Sequence, residues 1–67
     1  MTIKIEYQVE HREYGIYNHC KVTYEVRTLE HKCDDSKSFL DNFNDAFDKM
    51  VSLGGDPNKN IRWRTIQ

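Results

Sequence analysis

The sequence predicts a small α+β fold of order β-β-α-β, a three-stranded antiparallel sheet in order 2-1-3 with one helix packed on one face. Three observations predict it. Apolar residues alternate with polar ones at Ile3, Ile5, Tyr7 and Val9, and again at Cys20, Val22, Tyr24 and Val26. The period changes to that of a helix across Phe39, Leu40, Phe43, Ala46, Phe47, Met50 and Val51. Alternation returns at Ile61, Trp63 and Thr65. Period two marks a half-buried strand, and apolar positions at i, i+4, i+7 and i+11 mark one helical face.

The first strand sets Ile3, Ile5, Tyr7 and Val9 against Lys4, Glu6, Gln8 and Glu10, and its pattern decays across 11–15. A turn is expected within 12–18, where Gly15 and Asn18 tolerate positive φ. The second strand carries Val, Thr and Tyr, which suit a pleated surface. Ser36 or Ser38 is placed to cap the helix, and Ser38 with Asp41 approximates a capping box. Gly54, Gly55 and Pro57 stop it. The last strand puts Arg62, Arg64 and Ile66 on the face opposite Trp63. A right-handed crossover then lays strand three beside strand one, parallel in direction to strand two. The helix is expected to cover Ile3, Ile5, Val22, Val26 and Trp63. The other face, expected to show Lys4, Glu6, Gln8, Glu10, Lys21, Thr23, Glu25 and Arg27, is left to water or a partner.

Sixty-seven residues, 37% of them apolar, form one small domain over 1–67. A core that thin buries about 60% of the unfolded surface, which disfavours a deep cleft. Starting at Met1 and holding one complete pattern, the chain reads as a whole gene product. It carries no apolar run of signal-peptide or transmembrane length. Two cysteines are too few for a disulfide scaffold, so a cytoplasmic protein with reduced thiols is expected.

Ten Lys/Arg stand against eleven Asp/Glu, a net of −1 that argues for neither nucleic acid nor membrane. The layout is uneven: Asp collects in 32–53, while Lys59, Arg62 and Arg64 collect in the tail.

No catalytic set emerges. His19 and Cys20 are strand neighbours and point apart. His31 and Cys33 form the one nucleophile and base pair within reach, with a solvated His and a connecting Cys as the plainer explanation. The spacing of His19, Cys20, His31 and Cys33 is not that of a zinc knuckle. Gly54-Gly55 follows a helix, whereas a phosphate loop precedes one. No enzyme activity, cofactor or metal is therefore expected.

The helix face opposite the Phe stripe carries Asp41, Asp45 and Asp48. Exposed Asn42 and Asn44 beside them are poor helix formers, so the face is not built for helix stability alone. With Asp34 and Asp35 it is expected to meet a larger protein with a basic surface, and Tyr14 and Tyr17 near the hairpin turn are secondary contacts. In being short, single-domain and motif-free, the chain is similar to small phage-encoded inhibitors of host enzymes, including some anti-CRISPR proteins. That resemblance implies a non-enzymatic inhibitor that occludes a nucleic-acid-handling host protein. The alternatives are a nucleic-acid-binding domain using Lys59, Arg62 and Arg64, and a homodimer paired through a free strand edge.

Overall fold

The computed structural model describes residues 1–67, the side chain of Asn18 excepted. Strands β1 (Thr2–Tyr14) and β2 (Cys20–Lys32) form a long hairpin, followed by helix α1 (Phe39–Ser52) and strand β3 (Arg62–Ile66). The sheet is antiparallel in order β2-β1-β3, as the element pattern predicts. β3 pairs only with the first part of β1, from Thr2↔Ile66 to Glu6↔Arg62.

The core lies under α1 at that end. Ile3, Ile5, Tyr7 and Val9 of β1 are buried with Leu29, Ala46 and Met50. Phe43 and Phe47 flank them, and Trp63 packs edge-on to Phe43 at 5.0 Å and beside Phe39 at 6.0 Å. Ser38 caps α1 by accepting the Asp41 N–H on its Oγ at 3.2 Å. At the other end Gly54, at φ +93°, lets Gly54 N–H reach Val51 O and Gly55 N–H reach Met50 O. This pair of bonds satisfies the last helical carbonyls and reverses the chain. Gly55 then abuts β1 at Val9, so tightly that a Cβ there would lie 2.7 Å from Met50 Cγ and 2.9 Å from Tyr7 Cδ2.

One expectation about the helix is corrected. Asn42 is buried, not exposed. Its Oδ1 accepts the Asp34 N–H at 2.8 Å, and its Nδ2 donates to the carbonyls of Asp34 and Ser38, each at 3.0 Å. A single amide thus ties the β2–α1 connection to the first helical turn. Burying it costs little because its donors and acceptor are met.

A second correction concerns β2. Directly opposed residues share a sheet face, and the register places Leu29 opposite Ile5, Arg27 opposite Tyr7 and Glu25 opposite Val9. Val22, Tyr24 and Val26 stand opposite Arg12, Glu10 and Gln8, on the side away from α1. The expected helix cover of Val22 and Val26 is therefore wrong, as is the assignment of Lys21, Thr23, Glu25 and Arg27 to the open face. The cause is parity. Gly15 N–H donates to His19 O at 2.7 Å, a turn length that pairs odd residues with odd and even with even. A hairpin's register follows its turn, and one residue's slip exchanges the faces.

β1 also runs further than its apolar pattern, to Tyr14. Beyond Val9 no helix or third strand packs on the hairpin, and its described side chains are exposed from Glu10 through Thr28. The outer part of the hairpin projects as a two-stranded ribbon. The molecule measures 54 × 16 × 15 Å with a radius of gyration of 15.1 Å, against about 11 Å for a compact chain of this length.

Candidate functional site: the projecting hairpin

The ribbon has two unlike faces. On the helix side lie His11, Glu13, Lys21, Thr23, Glu25 and Arg27. Glu25 binds Arg27 Nη2 at 2.7 Å and His11 Nε2 at 2.9 Å. Arg27, and after it His11, hold the Glu25 carboxyl below its ordinary range by hydrogen bonding to the charged form. This face is an ordinary solvated one.

The other face carries Val22, Tyr24 and Val26, which are 41%, 50% and 58% exposed. Tyr14 and the tip extend the apolar surface. Tyr14, Ile16 and Tyr17 are 77%, 79% and 89% exposed. On the β1 half of the same face stand Gln8, Glu10 and Arg12, the last two ion-paired at 3.1 Å, so the exposed apolar side chains form a stripe along β2 and a group at the tip.

The tip is built at a cost. The 3₁₀ turn Ile16–Asn18 places Tyr17 at φ 65°, ψ 36°. That left-handed conformation is uncommon for a bulky residue and favours Gly or Asn. The sequence points to Gly15 for positive φ, but Gly15 sits at φ −95°. Tyr17 therefore carries the strain while its side chain stands in solvent.

The other sequence-predicted residues lie at the far end. Asp34 folds on its own connection, its Oδ1 accepting Ser36 Oγ at 2.7 Å and Ser36 N at 2.9 Å. These bonds hold its carboxyl below the usual range. Asp45 binds Lys37 Nζ at 2.9 Å and keeps that ammonium's pKa raised. Asp41 sits in the first helical turn, where the helix dipole favours it. Asp35 and Asp48 are exposed. The structure does not bring these acids together with Tyr14 and Tyr17, which lie beyond the uncovered ribbon.

Arg62 and Arg64 lie with Lys4 on the open face, along a groove of about 270 Å³ that Glu6, Thr28 and Trp63 also line. Lys59 reaches the same face, its Nζ 5.2 Å from the centre of the Tyr24 ring. A second groove of about 400 Å³ runs beside it, lined by Gln8, Val26 and Asn60 among others. No His, Cys or Ser lines either groove.

Cys20 and Cys33 are free and stand at opposite ends of β2. Cys20 is exposed and Cys33 half-buried. Among the described residues, no three His, Cys, Asp or Glu side chains converge as a metal site, and no helix is long and apolar enough to cross a membrane.

Tyr14 and Tyr17 are legible in the sequence as surface residues; Ile16 in the turn and Val22, Tyr24 and Val26 on β2 are not. Val22, Tyr24 and Val26 alternate with polar residues, yet alternation alone does not say which face a strand buries. Compared with protein-family models, curated proteins and solved structures, the chain finds no match.

Proposed function

We propose that the protein is a non-enzymatic protein-binding module whose contact surface is the projecting hairpin. The observation that supports this is the β2 alternation. Val22, Tyr24 and Val26 are patterned as a strand patterns its buried face, yet they stay 41–58% exposed, with only Lys59 reaching over Tyr24 and a groove beside Val26. A free-standing two-stranded ribbon is marginal in water, and exposed apolar side chains aligned along one strand with a polar border suit an interaction surface. The ribbon seats Tyr14, Ile16 and Tyr17 in an apolar pocket of a larger protein, where aromatic side chains make good anchors. The acidic residues Asp35, Asp41 and Asp48 form a second contact toward a basic surface, and occlusion of that partner by an inhibitor of this size is the mode of action. Capture experiments with two variant sets test this. Serine at Tyr14, Ile16 and Tyr17 should abolish capture of a protein that the wild type retains. Lysine at Asp35, Asp41 and Asp48 should weaken it only partly. Retention by the tip variant together with loss by the helix variant would reverse the assignment.

A second reading, favoured by Lys4, Arg62 and Arg64 on one face with Tyr24 and Lys59, is contact with a nucleic-acid strand. It predicts affinity that falls steeply with salt. No shift of a single-stranded probe at low ionic strength would remove it.

A further inference from the structure

The edge of β2 is the longest unsatisfied backbone feature of the molecule. β2 pairs with β1 along its whole length without a bulge, from Tyr14↔Cys20 to Thr2↔Lys32. Its other edge meets no strand in the sheet order. At 13 residues that edge is about 40 Å long. Natural edges are blunted by proline, bulges, shortness or charge; β2 has no proline, and its charges are of both signs, Lys21, Arg27 and Lys32 against Glu25 and Glu30.

Two bonds fix which groups face outward. Gly15 N–H donates to His19 O, and Cys33 N–H donates to Met1 O at 3.0 Å. In an antiparallel ladder the bonded pairs alternate, so the odd residues of β2 bond to β1. The even residues, including Val22, Tyr24, Val26, Thr28 and Glu30, point their N–H and C=O groups outward.

We propose that this edge pairs with β2 of a second copy, antiparallel about a two-fold axis through Val26. Only registers that place even residues opposite even ones form a ladder. Among these, Glu25 on the axis sets two Glu25 side by side, Arg27 on the axis sets two Arg27, and Tyr24 on the axis sets Lys21 against Arg27. With Val26 on the axis, Glu25 of each copy faces Arg27 of the other, so opposite charges meet twice. That register also pairs β2 over its full length, since Val26 is its midpoint. An isologous contact of this kind closes the assembly as a dimer. The product is one six-stranded sheet whose open faces are continuous, joining Val22, Tyr24 and Val26 of both copies into a single stripe. The inference stands on the backbone edge and its charges, and does not depend on the tip as a binding site.

The test uses the full chain with Cys20 and Cys33 replaced by Ser. Val26→Cys places the two thiols on the axis, with Cα atoms about 5.5 Å apart, within disulfide range. Thr28→Cys places its thiols four residues out of register, about 14 Å apart. Mild oxidation should cross-link Val26→Cys at least tenfold faster than Thr28→Cys. Sedimentation equilibrium of the parent chain should give twice the chain mass, and Val26→Pro should weaken association more than tenfold, because an outward N–H on an edge tolerates proline in the monomer. If Val26→Pro fails to fold, the cross-linking comparison decides. A monomer mass at the highest concentration reached, or equal rates for the two cysteines, would overturn the proposal.

Discussion

Replacing Tyr17 with Asn separates the demands of folding from those of binding. Tyr17 sits in the left-handed region with its side chain 89% exposed. For an L-residue with a Cβ that conformation costs about 1–2 kcal/mol, and Asn bears it more easily. The side chain gives up little in exchange. The tenth of its surface in contact is on the order of 20 Å², about 0.5 kcal/mol of apolar burial. The substitution should therefore leave stability unchanged or raise it by about 0.5–1 kcal/mol. For a domain of this size that raises Tm by up to about 4–8 °C. Thermal and urea unfolding followed by circular dichroism measure the change. The same variant should lose partner capture. A loss of 1 kcal/mol or more of stability would show that Tyr17 is held by contacts of the fold, and would refute the claim that its strain is kept for a partner.

Three further outcomes follow from the body of the fold. Asn42→Asp keeps an acceptor for the Asp34 N–H but turns both donors into acceptors facing carbonyls. It should cost about 1–3 kcal/mol in urea unfolding, and a cost under 0.5 kcal/mol would deny Asn42 its tying role. Gly55→Ala drives a methyl into Met50 and Tyr7 and should cost about 1–3 kcal/mol, read by the same assay against a milder Gly15→Ala. The Glu25 carboxyl, held down by Arg27 and His11, should titrate by NMR below the ordinary midpoint near 4.3. Because the folded value is lowered, the stability its network contributes is complete above the unfolded midpoint and is lost as pH falls through the folded one. A midpoint at or above the ordinary value would show that the network does not persist in solution.

The element order and sheet order were legible because each segment carries its own period. The strands alternate, α1 repeats at 3.6, and Gly54 with Gly55 marks the stop. The faces that the segments turn toward one another were not legible. Which face of β2 meets α1 depends on the parity of the turn at 15–19, and no local pattern encodes it. Leu29 was overlooked because it lies out of phase with Val22 and Val26, yet it is the residue of β2 that reaches the core. Asn42 looked like a poor helix former on a solvated face, since sequence cannot show that the Asp34 and Ser38 carbonyls surround its amide. On the candidate site, the exposure of Tyr14 and Tyr17 was foreseen from their place near a turn. That Val22, Tyr24 and Val26 stay uncovered follows from the same parity, which turns them away from α1, and only the assembled fold shows it.

The central claim, that the hairpin and not the helix surface makes the principal contact, is tested most directly by site-specific photo-cross-linking in cells. A photoreactive phenylalanine analogue is placed at Tyr17 in one protein and at Asp48 in another. Both sites are exposed, so neither placement disturbs the core. Position 17 should give a discrete higher-mass adduct, stronger than any from position 48. An adduct from position 48 with none from position 17 would contradict it.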